Sequence, residues 1–296
     1  MAEISESAVA EPAGGAEAIP LAVVLWWAAG GLGVLALVWR LGALRSDVLR
    51  RGPTRELSLS RVDLVVGFIL VGLFFTERLL LGVAGRWVEW SDTARQSMQQ
   101  VSGLALLASA AFFVVKAWAS EAGLRRAGLI PRRPGRDVWV SVVGLPVAAV
   151  LTFATLGVVA WGAAQLGVPS PPINHGMLTR LQESPSLELI VQTVFAAVIL
   201  GPVLEELVFR GLLQTWLLEM WGRRARWPVL IAASAVFAAV HLGATTWHAL
   251  PGLFVLALVL GWLYEQTGSV WPPVLVHAGF NAVNIGVVLA EGWGGS

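Results

Sequence analysis

Chemistry in this chain is concentrated in Gly201-Pro202-Val203-Leu204-Glu205-Glu206-Leu207-Val208-Phe209-Arg210, between the apolar runs Leu189 to Leu200 and Leu212 to Leu218. Adjacent carboxylates inside so apolar a segment are costly, because a charge in a low-dielectric medium loses its hydration. Glu206 and Arg210 stand four apart, so on a helix they share a face, with the acid on the favourable N-terminal side. Arg210 can therefore neutralise about one negative charge. Glu205 lies roughly 100° further round the helix and has no partner in the segment. An unpaired buried carboxylate fits a general base or a metal ligand, and the rival reading is an ion-pair cluster that only holds helices together.

Three more polar positions interrupt later apolar segments. Phe237 and His241 are four apart, as are His277 and Asn281, and Asn284 extends the face of the latter pair. A carboxylate paired with an imidazole can deprotonate a water. An imidazole and an amide can donate hydrogen bonds to a developing oxyanion. Glu205, His241 and His277 are equally a catalytic zinc set, two imidazoles and a carboxylate with a fourth position open to water. The local H-E-x-x-H spacing is absent, so such a metal would be assembled from three separate helices.

The elements that must position these groups are membrane helices. The chain has 296 residues, of which 56% are hydrophobic and only 13% charged, and its mean hydropathy is +0.73. Apolar segments near 20–39, 62–84, 100–119, 138–166, 187–220, 228–247, 249–266 and 271–290 are long enough to span a bilayer. The expected fold is an all-α polytopic bundle of about eight spans. Arginines cluster in alternate connections, at 40–61, 125–136 and 223–226, which the positive-inside rule places in the cytoplasm. Both termini are then expected outside, in a bacterial inner or plasma membrane. Residues 1–19 read as a disordered tail, 20–130 as N-terminal spans of undetermined role, and 131–296 as the part carrying the site. Pro202 should kink its helix and free the Val198 carbonyl. No base-stacking aromatic pattern accompanies the basic loops, so nucleic acid is not an expected partner. There is no cysteine, hence no thiol nucleophile, disulfide or Cys-bound metal.

Glu205-Glu206-x-x-x-Arg210, Phe237-x-x-x-His241 and His277-x-x-x-Asn281, in that order and all in apolar segments, resemble the CPBP family of intramembrane proteases. That family includes the type II CAAX prenyl endopeptidases and bacterial proteins linked to bacteriocin processing and self-immunity. The resemblance covers roughly Ser186 to Gly292. It implies that Glu205 polarises the attacking water together with His241, that His277 and Asn281 stabilise the oxyanion, and that Glu206 and Arg210 support the site. It implies membrane lipids and a peptide or membrane-protein substrate as partners. On the question of metal it favours a metal-free glutamate mechanism, with zinc as the alternative.

Two readings from other classes compete: a non-enzymatic immunity or scaffold protein of the same fold, and a cation- or proton-coupled transporter. A transporter more often shows matching discontinuous helices in two repeats, and here one segment is interrupted. His175 and His248 are expected to be solvated near loops, Glu265 and Gln266 to snorkel from a helix end, and Glu77-Arg78 to form an interfacial pair. His277 follows Trp271 by six residues, roughly 9 Å along its helix, which places the site between the cytoplasmic interface and the bilayer centre. Cysteines introduced at Ala278 or Ala282 should therefore be labelled by a polar thiol reagent from the cytoplasmic side. Labelling from the outside alone would refute that depth and orientation.

Overall fold

Apolar length dictates the architecture. In a computed structural model, residues 20–44, 49, 63, 65–66, 69–70, 72–73, 91–118, 121–168, 181, 186–242 and 245–294 are described. Among them the regular elements are helices: α1 (Leu21–Arg40), α2 (Asp92–Trp118), α3 (Glu121–Arg126) and α4 (Pro134–Gln165) in the first half. The second half is α5 (Leu187–Trp221), α6 (Arg226–Ala239), α7 (Leu250–Thr267) and α8 (Trp271–Gly294).

The all-α expectation holds. Five helices are long and apolar enough to cross a membrane, namely α1, α4, α5, the stretch Trp247–Thr267 that contains α7, and Trp271–Ala290 of α8. Gln100–Lys116 and Arg226–Ala239 are apolar but shorter. The expected span at 62–84 lies mostly outside the described residues, as do the 1–19 tail, His175 and Glu77-Arg78. The expected span at 228–247 is shortened: α6 ends at Ala239, and the chain turns through Val240 and His241.

α4 is the hub. It packs against α1, α7 and α8, and α7 in turn lies against α6 and α8. Small residues permit the approach, as is usual where helices meet without water. A Cβ at Gly144 would sit 3.2 Å from Leu263 and 3.3 Å from Val276, so α4, α7 and α8 meet at that point. A Cβ at Gly211 would sit 2.5 Å from the Phe113 ring, so α2 packs directly on the backbone of α5. Ser186 opens α5 by accepting a hydrogen bond from the Leu189 amide. Gly222 closes it at φ 81° and ψ 161°, a backbone conformation reserved almost entirely for glycine, and a short turn at Arg223–Ala225 leads into α6.

One polar cluster fastens the end of the bundle where α5, α6 and α7 meet. Arg226 of α6 pairs with Glu265 of α7, and Gln214 of α5 donates to Glu265 at 2.8 Å and to the Gly261 carbonyl at 3.2 Å. Thr215 and Tyr264 share a 3.1 Å hydrogen bond beside it. Glu265 is fully buried, which overturns the expectation that it snorkels. Its cation stands 39 positions away in sequence, out of reach of any reading by helical spacing. His248 is also buried, stacked on Trp247 with ring centroids 3.8 Å apart, and not solvated. Glu265→Ala should destabilise the protein by about 3–5 kcal/mol, because it strands Arg226 in an apolar setting. Thermal unfolding in detergent should show the further change Arg226→Met recovering part of that loss; no recovery would mean that the pair is not the source of the cost.

Candidate active site

The helix that carries the carboxylates is not a plain α-helix. α5 is wound as a π-helix over Phe195–Leu200 and again over Leu207–Gln214, with one α-helical turn, Gly201–Glu206, between them. Such widened turns recur at functional sites. The Gly201 amide bonds to the Ala196 carbonyl, five residues back, as π winding requires. By the same register the Ala197 carbonyl would receive the amide of residue 202, which is proline and has none. The side-chain amide of Asn281 donates to Ala197 O instead, at 2.7 Å. In this register Pro202 leaves the Ala197 carbonyl without its backbone donor, and Asn281 supplies one.

Past this break, Glu205 and Glu206 diverge. Glu206 is fully buried and both of its oxygens are engaged. Oε2 accepts from Arg210 Nε at 2.8 Å, the pairing expected from the spacing of four. Oε1 accepts from His277 Nδ1 at 3.0 Å. Arg210 is also fully buried, and its guanidinium carbon lies 5.2 Å from the centroid of the Phe237 ring, over its face. Glu205 is partly open, with 22% of its side chain exposed. Its Oε2 faces His277 Nε2 at 3.9 Å, too far for a direct hydrogen bond, and has no hydrogen-bond partner. His277 therefore stands between the two carboxylates, held by one and facing the other.

His241 reaches the site from the turn after α6. Its Nδ1 is 2.7 Å from the Phe237 carbonyl. A carbonyl can only accept, so Nδ1 carries the proton in this contact. The spacing of four between Phe237 and His241 thus works as a helix-end cap. Phe237 is the common floor: its ring meets that of His241 at 4.8 Å, that of His277 at 5.8 Å and that of Phe209 at 5.0 Å between centroids. Asn284 does not extend the site, because its amide bonds to the Phe280 carbonyl of its own helix.

Glu205, Glu206, Arg210, His277 and Asn281 are brought to one locus where α5 meets α8, and His241 adjoins it across Phe237. Spacing gave no sign of Ala197 as part of it, and it marked Phe237 without showing that its ring is shared by His241, His277 and Phe209. Among the described residues no three His, Asp or Glu side chains are gathered as a metal-binding group.

Residues 187–283 match the family model described as "Type II CAAX prenyl endopeptidase Rce1-like", as the three motifs led one to expect. The matched stretch runs from the start of α5 to just past Asn281. Among curated proteins, the chain is 26% identical over 149 residues to "Uncharacterized protein YpbD" of Bacillus subtilis (strain 168), covering 50% of this chain and 68% of that one. It is 28% identical over 139 residues to "Uncharacterized 24.3 kDa protein" of Escherichia coli, covering 46% of this chain and 60% of that one. No solved structure matches it significantly.

Glu206→Ala should lower stability as well as any activity, because it leaves Arg210 buried without its counter-charge, at a cost of about 3–5 kcal/mol. Glu205→Ala should leave stability near wild type, since its Oε2 has no partner to lose. Thermal melting of both variants in the same detergent checks the contrast, and equal losses would break it.

Proposed function

We propose that this chain, whose residues 187–283 match the Rce1-like type II CAAX prenyl endopeptidases, is an intramembrane endopeptidase in which Glu205 activates the attacking water. The observation that carries the reading is the asymmetry of the two carboxylates. Glu206 is spent on Arg210 and His277, whereas the enclosed Oε2 of Glu205 is left without a hydrogen bond beside an imidazole nitrogen. A structural ion-pair cluster would have used both.

In this mechanism a water sits against Glu205 Oε2, with His241 Nε2 as a second acceptor. Its oxygen bonds to the carbon of the scissile carbonyl while its proton passes to Glu205. The carbonyl oxygen becomes an oxyanion, stabilised by His277 and by the Asn281 N–H not given to Ala197. His277 uses Nδ1–H on Glu206, so donation through Nε2 needs the doubly protonated ring, whose charge Glu206 and Glu205 flank. The C–N bond then breaks, and the proton held by Glu205 goes to the leaving nitrogen. Arg210 and Glu206 orient His277 and take no part in proton transfer. A charged Glu205 needs water, so the site should open by a polar path toward the cytoplasm. The scissile bond then lies on that side or in the inner half of a substrate's membrane segment.

The test is a comparison of peptide N-termini in membranes from cells expressing wild type or Glu205→Gln. Termini present with wild type and absent with the variant support the protease reading. Identical sets would favour the non-enzymatic protein of the same fold. Metal analysis of the purified active protein should find no stoichiometric zinc, and zinc lost with activity and restored with it would overturn the glutamate mechanism.

A further inference from the structure

Asn281 has a second task in this chain, and it is visible in one hydrogen bond. The first π segment of α5 leaves the Ala197 carbonyl without a backbone donor, because residue 202 is a proline. The break lies at the turn that carries Glu205 and Glu206. An unmet carbonyl in an apolar bundle costs roughly 1–3 kcal/mol. Asn281 Nδ2 donates to that oxygen from α8, at 2.7 Å. The surrounding contact is apolar: Ile285 and Val288 of α8 pack with Val194, Ala197 and Val198 of α5. His277 lies one turn before Asn281 on the same face of α8 and is bonded to Glu206. Two hydrogen bonds, one turn apart, therefore tie α8 to α5 on either side of Pro202.

We infer that Asn281 is a positioning residue: its amide replaces the N–H that Pro202 lacks, and so fixes the Glu205–Glu206 turn in register with His277. In its activity arm the inference rests on the protease reading. Its distinguishing consequence is that the requirement for Asn281 depends on the residue at 202. Alanine at 202 restores a backbone N–H aimed at Ala197, so Pro202→Ala should relieve the need for the side-chain amide. An oxyanion donor alone would be needed whatever residue stands at 202.

The experiment is a double-mutant cycle of Pro202→Ala and Asn281→Ala in the full chain, read by melting temperature in detergent and by the yield of Glu205-dependent N-termini in membranes. Asn281→Ala alone should lower the melting temperature and cut cleavage by more than about tenfold, because the bond to Ala197 and the oxyanion donor are lost together. In the Pro202→Ala background the loss of melting temperature should largely vanish, and the loss of cleavage should shrink to what the oxyanion contact alone contributes. Equal losses of cleavage in both backgrounds would assign Asn281 to the substrate and overturn the inference, even with coupled stabilities. Uncoupled stabilities would overturn it as well. Asn281→Asp, which keeps the shape and loses the donor, should behave as Asn281→Ala; full function in that variant would again count against it. Should wild type and Glu205→Gln give the same termini, the protease reading fails by itself, and the stability arm alone decides whether Asn281 replaces the missing donor.

Discussion

The structure depends on neutralising charge where there is no water to do it. Arg210, Glu206 and His277 form a continuous buried chain, cation to carboxylate to imidazole, with 2.8 Å and 3.0 Å links. A charge stranded there would cost several kcal/mol, so each member fixes the next. The chain ties α5 to α8. Phe237 closes it from α6, with Arg210 over its face and two imidazoles against its ring. What remains is one carboxylate, Glu205, partly open as a side chain and with an enclosed oxygen that has no hydrogen bond. Its availability is a consequence of how completely its neighbour is used.

The sequence made part of this plain. The pairing of Glu206 with Arg210 follows from a spacing of four and the cost of burial, and it is present. His277 and Asn281 do share a face toward α5. Other features were beyond sequence patterns because they depend on winding or on distant partners. Helical periodicity assumes 3.6 residues per turn, so it could not see that α5 is π-wound on both sides of the carboxylates. On that assumption the carbonyl freed by Pro202 is that of Val198, whereas the one that takes a side-chain donor is that of Ala197. Glu265 was assigned to the interface because its arginine lies on another helix. Hydropathy puts His241 inside a span, whereas α6 ends two residues before it and the imidazole caps the helix end.

The site is also not confined to the stretch that matches the family. Phe113 of α2 is seated on Gly211, one residue past Arg210, and α4 supports both α7 and α8. These helices precede residue 187, and among the described residues they contribute no hydrogen bond to the centre. They bear on it by shape: a wider backbone at Gly211 would push α2 away or shift the π turn that holds Arg210. The first half of the described chain acts as a mould for the second.

The separation of ion-pair partners along the chain has a consequence for biosynthesis. Glu206 and Arg210 lie on one helix and cancel each other as soon as α5 is made, so the segment can enter lipid with less of the roughly 2.5–3.5 kcal/mol penalty that each lone charge carries at a helix centre. Glu265 cannot do this. Its partner Arg226 belongs to the preceding helix, so α6 and α7 gain their neutrality only when they are inserted as a pair. Nascent chains would thus commit α5 singly, then α6 and α7 as a hairpin. The imidazole of α8 is the last to arrive, at a carboxylate already held in place by Arg210.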